Sequence, residues 1–177
     1  MSNKLYGTVL LSLNDDYYMP IGAILSKWAT LEYQLHEIIW AAMRIGLKEG
    51  RTLTIGMGMQ GTLGVMRNLH RQWVLDKPIQ EEIASLAKTV AELSEKRNYI
   101  AHGVWMAMGD DANAVPHLTY MKTGAERVLP GAEPLTPSDL HAFALQIQTL
   151  NQQAEDILVK IKREQPASQK KPEPPHP

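Results

Sequence analysis

The chain has no cysteine among its 177 residues, which excludes a disulfide framework, a thiolate zinc site and a cysteine nucleophile. That absence fits a reducing compartment, and the cytoplasm is the expected location. Phenylalanine occurs once and aromatic residues make up only 6% of the chain, so the core must be built mainly from aliphatic side chains. Long apolar runs are also missing. The best candidate is interrupted by Lys27, Glu32 and Arg44, well short of the about 18 uninterrupted apolar residues that a membrane span needs. The first apolar stretch, Leu5 to Leu13, is broken by Gly7, Thr8 and Ser12 and runs into Asn14-Asp15-Asp16, so neither a signal peptide nor membrane association is expected. An excess of charge is lacking too. The formal net charge of −1 excludes wholesale coating of nucleic acid but leaves room for a local patch. Between Ala41 and Lys77 the basic residues are Arg44, Lys48, Arg51, Arg67, Arg71 and Lys77 against the acids Glu49 and Asp76, a local charge of +4.

What is present is helical periodicity. A chain of this length can bury roughly two-thirds of its unfolded surface in one core. From Pro20 to Ile45 the apolar residues Ile21, Ile24, Leu25, Trp28, Leu31, Leu35, Ile38, Ile39 and Ala42 recur every three or four positions, one face of a long helix closed by Gly46 and Gly50. Met59, Leu63, Met66, Leu69 and Trp73 form a second, shorter stripe that Lys77-Pro78 should end. In the third, Ile79, Ile83, Leu86, Val90, Leu93, Arg97 and Ile100 alternate spacings of four and three as a heptad-like seam. Val104 to Met108 and Leu118 to Met121 read as strands around the turn-forming Gly109-Asp110-Asp111, with Val128 and Leu129 as a candidate third strand. Thr136-Pro137-Ser138-Asp139 has the capping hydroxyl, first-turn proline and acid of a helix start, and Leu140 to Ile161 supplies the stripe that follows. The expected fold is therefore all-α: an antiparallel four-helix-type bundle with a small β-hairpin inserted before the last helix. It should form one domain over residues 1–163, followed by a disordered proline- and lysine-rich tail over 164–177.

Two motifs compete for the chemistry. Gly56-Met57-Gly58-Met59-Gln60-Gly61 is a formal G-x-G-x-x-G after the strand-like Thr52-Leu53-Thr54-Ile55, and Asp76 stands twenty positions beyond Gly56. In a dinucleotide site such glycines let backbone amides approach a pyrophosphate at a helix N-terminus. Here the spacing is cramped, and no strand-helix alternation follows to build a parallel sheet, so a flexible loop between helices is the expectation. The second motif, Arg97-Asn98-Tyr99-Ile100-Ala101-His102, closes the third helix. An arginine on an apolar seam needs a carboxylate, a carbonyl or an anionic ligand, and histidine is the side chain suited to proton transfer near neutral pH. Asn98 and His102 share a face one turn apart, so an amide and an imidazole can join the guanidinium in holding a phosphate and moving a proton, with no cofactor and no metal ligands.

That segment resembles the signature of the HEPN domains (higher eukaryotes and prokaryotes nucleotide-binding): an arginine, a polar residue directly after it, and a histidine four to six positions beyond, late in a helix of a four- to five-helix bundle. Arg97, Asn98 and His102 match it one by one, and the long first helix, the helix order and the hairpin after the motif agree with it over most of residues 20–163. The resemblance implies a homodimer whose paired motifs form a metal-independent endoribonuclease site. His102 would move the proton, Arg97 would stabilise the phosphorane and Asn98 would orient one of them. Arg44, Arg51, Arg67 and Arg71 are candidates for RNA binding, and a neutralising protein partner enters with the toxin branch of the family. In the adenylylated toxins a tyrosine stands two positions after the histidine; here that position is Val104, so that form of control is not implied. Glu32, an acid near the apolar face of the first helix, is the candidate partner of Arg97. If they pair as a structural bridge, with His102 capping the last carbonyls, the chain is instead a non-catalytic HEPN-like module for RNA binding, protein interaction or dimerisation. The homodimer has a second argument: the third-helix seam and Trp28, Trp40 and Trp105 exceed what one small bundle accommodates comfortably.

Overall fold

The computed structural model describes residues 7–9, 13–72, 75–108, 117–122, 125–127 and 135–164, with side chains over 13–69, 75–105 and 135–164. The chain is mostly helical. In order, it forms β1 (Gly7–Val9), α1 (Asp15–Met43), α2 (Leu47–Thr54), α3 (Met59–Gln72), α4 (Lys77–His102), β2 (Val104–Met108), β3 (His117–Lys122), β4 (Ala125–Arg127) and α5 (Pro137–Glu164). None of the described helices is long and apolar enough to cross a membrane. Gly109-Asp110-Asp111, Val128 and Leu129, and the tail from 165 onward lie outside the described residues, as does Trp73.

Helix α1 begins a turn and a half before Pro20, because Asn14 caps it through its carbonyl and Asp15 and Asp16 place negative charge at the positive end of the helix dipole. Its other end closes on a non-glycine residue. Arg44 takes the left-handed conformation at φ 56°, its N–H donates to the Ala41 carbonyl and that of Ile45 to Trp40, so neither Gly46 nor Gly50 is the terminator. Helix α5 starts on a reciprocal cap. The Asp139 N–H donates to Thr136 Oγ1 at 3.2 Å, while Asp139 Oδ2 accepts from the Thr136 N–H at 2.9 Å.

The strand-like Thr52-Leu53-Thr54-Ile55 belongs to α2 and its C-terminus instead, and burial explains the change. Gly50 and Thr54 are the inward positions of α2, and a Cβ on Gly50 would lie 2.5 Å from Trp40 Cγ, so glycine brings this helix directly onto the indole. Both threonine hydroxyls return to carbonyls of the preceding turn, Thr52 to Lys48 and Thr54 to Gly50, at 3.0 Å. With a helix ahead of it, the glycine-rich Gly56-to-Gly61 segment loses the strand that a pyrophosphate loop requires. Gly56 is instead a turn residue with φ 74°.

Helix α1 lies along α5, and the contacts set their relative direction. Lys27 Nζ donates to Gln148 Oε1 at 2.7 Å, Asn151 Nδ2 donates to the Lys27 carbonyl at 3.1 Å, and Asp139 acts electrostatically on Tyr17 ten residues earlier in α1. Residues advance together along both helices, so α1 and α5 are parallel. Helix α4 runs against α5, with Lys96 over the Phe143 ring at one end and Lys160 bonded to Glu82 at the other. The bundle is thus not antiparallel throughout. Apolar periodicity shows which face is buried and carries no direction, and the short α2 sends α3 back into the bundle as an extra element.

The strands form one antiparallel sheet in the order β1-β2-β3-β4. Thr8 stands opposite Ala107 and Trp105 opposite Leu118. Strand β1, read in the sequence only as an interrupted apolar stretch, ties the beginning of the chain to the segment after α4. The sheet therefore sits at the end of the bundle where α1 begins, α4 ends and α5 begins. There the Tyr17 and Trp105 rings meet edge to face at 5.6 Å. The core between the helices comprises Ile24, Trp28, Leu31, Leu35, Ile38, Leu63, Met66, Ile83, Val90, Phe143, Ile147 and Ile161, among others.

Candidate nucleic-acid interface

The last two turns of α4 carry Arg97, Asn98 and His102, and the helix ends as the Gly103 N–H donates to the Tyr99 carbonyl at 2.8 Å. Ile100, between them in sequence, is buried and anchors this end, which leaves Asn98 and His102 exposed one turn apart. Arg97 is half-buried. Its guanidinium carbon lies 5.8 Å from the centre of the Trp28 ring, within cation–π range, and its Nη1 donates to Asn98 Oδ1 at 3.2 Å. Its Nε is buried, with no hydrogen-bond partner among the described residues. Trp28 is only 1% exposed.

Glu32 does not pair with Arg97. Among the described residues the ion pairs are Lys77–Glu81, Lys88–Glu92 and Lys160–Glu82. The indole of Trp28, one turn before Glu32, occupies the position against Arg97 that the carboxylate was expected to fill. Glu32 acts instead on His36, one turn further along α1. Burial lowers the His36 pKa below its ordinary value, and the Glu32 charge opposes that shift. His36 Nε2 lies 2.9 Å from Thr62 Oγ1, and because that hydroxyl donates to the Gly58 carbonyl, the imidazole is the donor between the two. The Glu32-x-x-x-His36 spacing on one helix could have revealed this pair in the sequence. No pattern linked Trp28 to Arg97 across 69 positions.

Beside Arg97, Lys96 places its ammonium 4.9 Å from the centre of the Phe143 ring. The carboxyl of Asp139, held by Thr136 and further by the Lys96 charge, has its pKa lowered, and burial works in the opposite direction. Burial raises the Tyr17 hydroxyl pKa, and the Asp139 charge adds to it. Lys96 thus already has an acidic neighbour, whereas Arg97 has none among the described ion pairs.

The basic patch is not part of this end of the molecule. Arg44 closes α1, sixteen residues beyond Trp28, which at 1.5 Å per residue is about 24 Å along the axis. Arg51 and Arg67 are exposed on α2 and α3, and the Arg67 Nε donates to the Leu63 carbonyl at 3.2 Å. Arg71 lies in α3 with its side chain outside the described residues. Trp28 and Trp40 are buried within the single chain, at 1% and 6% exposure, and Trp105 is half-buried against Tyr17, so these three rings do not by themselves call for a second copy. Among the described residues no three His, Asp or Glu side chains converge as a metal-binding group. Comparison with known proteins gives no matching family model, no similar curated protein and no similar solved structure.

Proposed function

We propose that the protein is an endoribonuclease of the HEPN type, cleaving single-stranded RNA without a metal ion at a site to which two copies of the chain contribute. The observation that carries this reading is the Arg97 guanidinium: half-buried, without a carboxylate partner among the described ion pairs, and next to the exposed Asn98 and His102. A phosphate is the ligand that such a group accommodates most readily. The RNA 2′-hydroxyl oxygen bonds to the adjacent phosphorus as the bond to the 5′ oxygen breaks, leaving a 2′,3′-cyclic phosphate and a 5′-hydroxyl. His102 of one copy takes the hydroxyl proton and His102 of the other supplies one to the leaving oxygen, while Arg97 balances the charge that builds on the phosphorane. His102 is exposed, within reach of substrate and of a second copy. The test is cleavage of a labelled single-stranded RNA in excess EDTA. Activity should survive chelation, fall about a hundredfold or more in Arg97→Ala and by a similar factor in His102→Ala, and give cyclic-phosphate ends. Activity lost to EDTA and restored by a divalent ion refutes it.

One observation favours the alternative, a non-catalytic HEPN-like module for RNA binding, protein interaction or dimerisation. The candidate RNA contact Arg44 stands about 24 Å along α1 from the Trp28 that meets Arg97, as a binding surface independent of any cleavage site would, and Arg51 and Arg67 are exposed on α2 and α3. RNA binding that depends on those three arginines, without cleavage, identifies the module.

A further inference from the structure

We infer that Trp28 is the positioning residue of this site: its indole face determines where the Arg97 guanidinium stands and therefore where an anion is received. The inference rests on the reading of Arg97 as a phosphate-binding group. An arginine side chain has four rotatable bonds, and ordering it at the moment of binding weakens every interaction it then makes. Here that ordering is built into the fold. Trp28 is 1% exposed in the core of α1, so its ring cannot swing away, and Arg97 Cζ lies 5.8 Å from the ring centre. Nη1 is fixed at a second point by Asn98 Oδ1 at 3.2 Å. The adjacent Lys96 supplies the contrast. It too sits over an aromatic ring, that of Phe143, but the Asp139 carboxylate is within its field. Trp28 instead orients a cation by its π face and contributes no compensating charge, so Arg97 is placed while no carboxylate among the described residues neutralises it.

The test uses the full chain as the parent, Trp28→Phe, Trp28→Leu and, as the reference that identifies the signal, Arg97→Lys. In the parent, the Arg97 Nε–H resonance is shifted by the indole ring current and moves on titration with inorganic phosphate. Trp28→Phe keeps an aromatic face and should cleave RNA within about threefold of the parent, whereas Trp28→Leu keeps only apolar bulk and should lower kcat about tenfold with KM little changed. A cooperatively folded Trp28→Leu with parental kcat overturns the positioning role and leaves the ribonuclease reading intact. If Trp28→Leu does not fold, the parent decides: an Arg97 Nε–H signal without a ring-current shift overturns the inference. A parent that neither cleaves RNA nor responds to phosphate at that signal overturns the functional reading and this inference with it.

Discussion

Two glycine-to-alanine substitutions should move stability in opposite directions. Gly50 and Gly64 both lie inside helices, where alanine is preferred over glycine by about 1 kcal/mol. At Gly64 a Cβ would meet nothing within 4 Å, so the preference is fully expressed and Gly64→Ala should stabilise by about 0.5 to 1 kcal/mol. At Gly50 the same atom would lie 2.5, 2.6 and 2.7 Å from Trp40 Cγ, Cδ2 and Cδ1. Carbon atoms pack at about 3.5 to 4.0 Å, so ring and helix must separate by about 1 Å. Trp40 cannot yield easily, since it is 6% exposed and Tyr33 abuts it edge-on at 5.9 Å. Overpacking of about 2 to 3 kcal/mol, less the propensity gain, leaves Gly50→Ala destabilised by about 1 to 2 kcal/mol. For a chain of this size each kcal/mol shifts Tm by roughly 2 to 4 °C, so Gly50→Ala should melt roughly 2 to 8 °C lower and Gly64→Ala up to about 4 °C higher. Thermal melts followed by circular dichroism at 222 nm measure both. If Gly50→Ala raises Tm as Gly64→Ala does, the close packing of α2 on Trp40 is wrong.

Arg97→Ala removes a stacking contact of about 1 to 2 kcal/mol but also a buried Nε that no described residue satisfies, and it strands no carboxylate among the described residues, so its Tm should change by less than about 5 °C while cleavage collapses. A fall of more than about 10 °C with unchanged activity per folded molecule refutes that balance. Because the folded His36 pKa lies below the unfolded value of 6.5, its contribution is present above that pH and declines as pH falls through the folded pKa. Tm should therefore rise with pH up to about neutrality, and His36→Gln should flatten the slope; a parallel slope in the variant contradicts it. Thr136→Ala removes the cap of α5 and should cost about 1 kcal/mol, whereas Glu82→Gln, which breaks a half-exposed pair with Lys160, should cost less than about 1 kcal/mol in the same melts.

The legible parts of the fold were those with a period or a cap. The apolar stripes of α1, α3, α4 and α5 mark the faces that are buried, because a 3.6-residue repeat is imposed directly by burial. Thr136 and Asp139 could be read because a helix start has its own local chemistry. Helix α2 could not, since its threonines favour strands and its close packing through Gly50 on Trp40, ten residues earlier, leaves no local pattern in the sequence. Strand β1 is three residues long, and its partner is about a hundred positions away, beyond any local signal. At the candidate site the motif was visible in Arg97, Asn98 and His102, but what lies under Arg97 was not. An acid at Glu32 was the plausible partner by charge, and an indole occupies that place by shape. The distance of Arg44 from Arg97 was hidden for a related reason: proximity in sequence to one helix end says nothing about which end of the bundle it reaches.

The parallel pairing of α1 with α5 also bears on how the chain is made. Helix α1 is complete once residue 43 has been synthesised, but its neighbour α5 is not finished until about 120 residues later. At typical synthesis rates that delay is roughly 6 to 24 s, during which Ile24, Leu31, Leu35 and Ile38 lack their final cover. Helices α3 and α4 emerge in the interval and can shield only part of the stripe. A nascent chain stalled before Pro137 therefore presents a long amphipathic helix with an open apolar face, the kind of surface that ribosome-associated chaperones bind, and release should follow the synthesis of α5 rather than that of the site on α4.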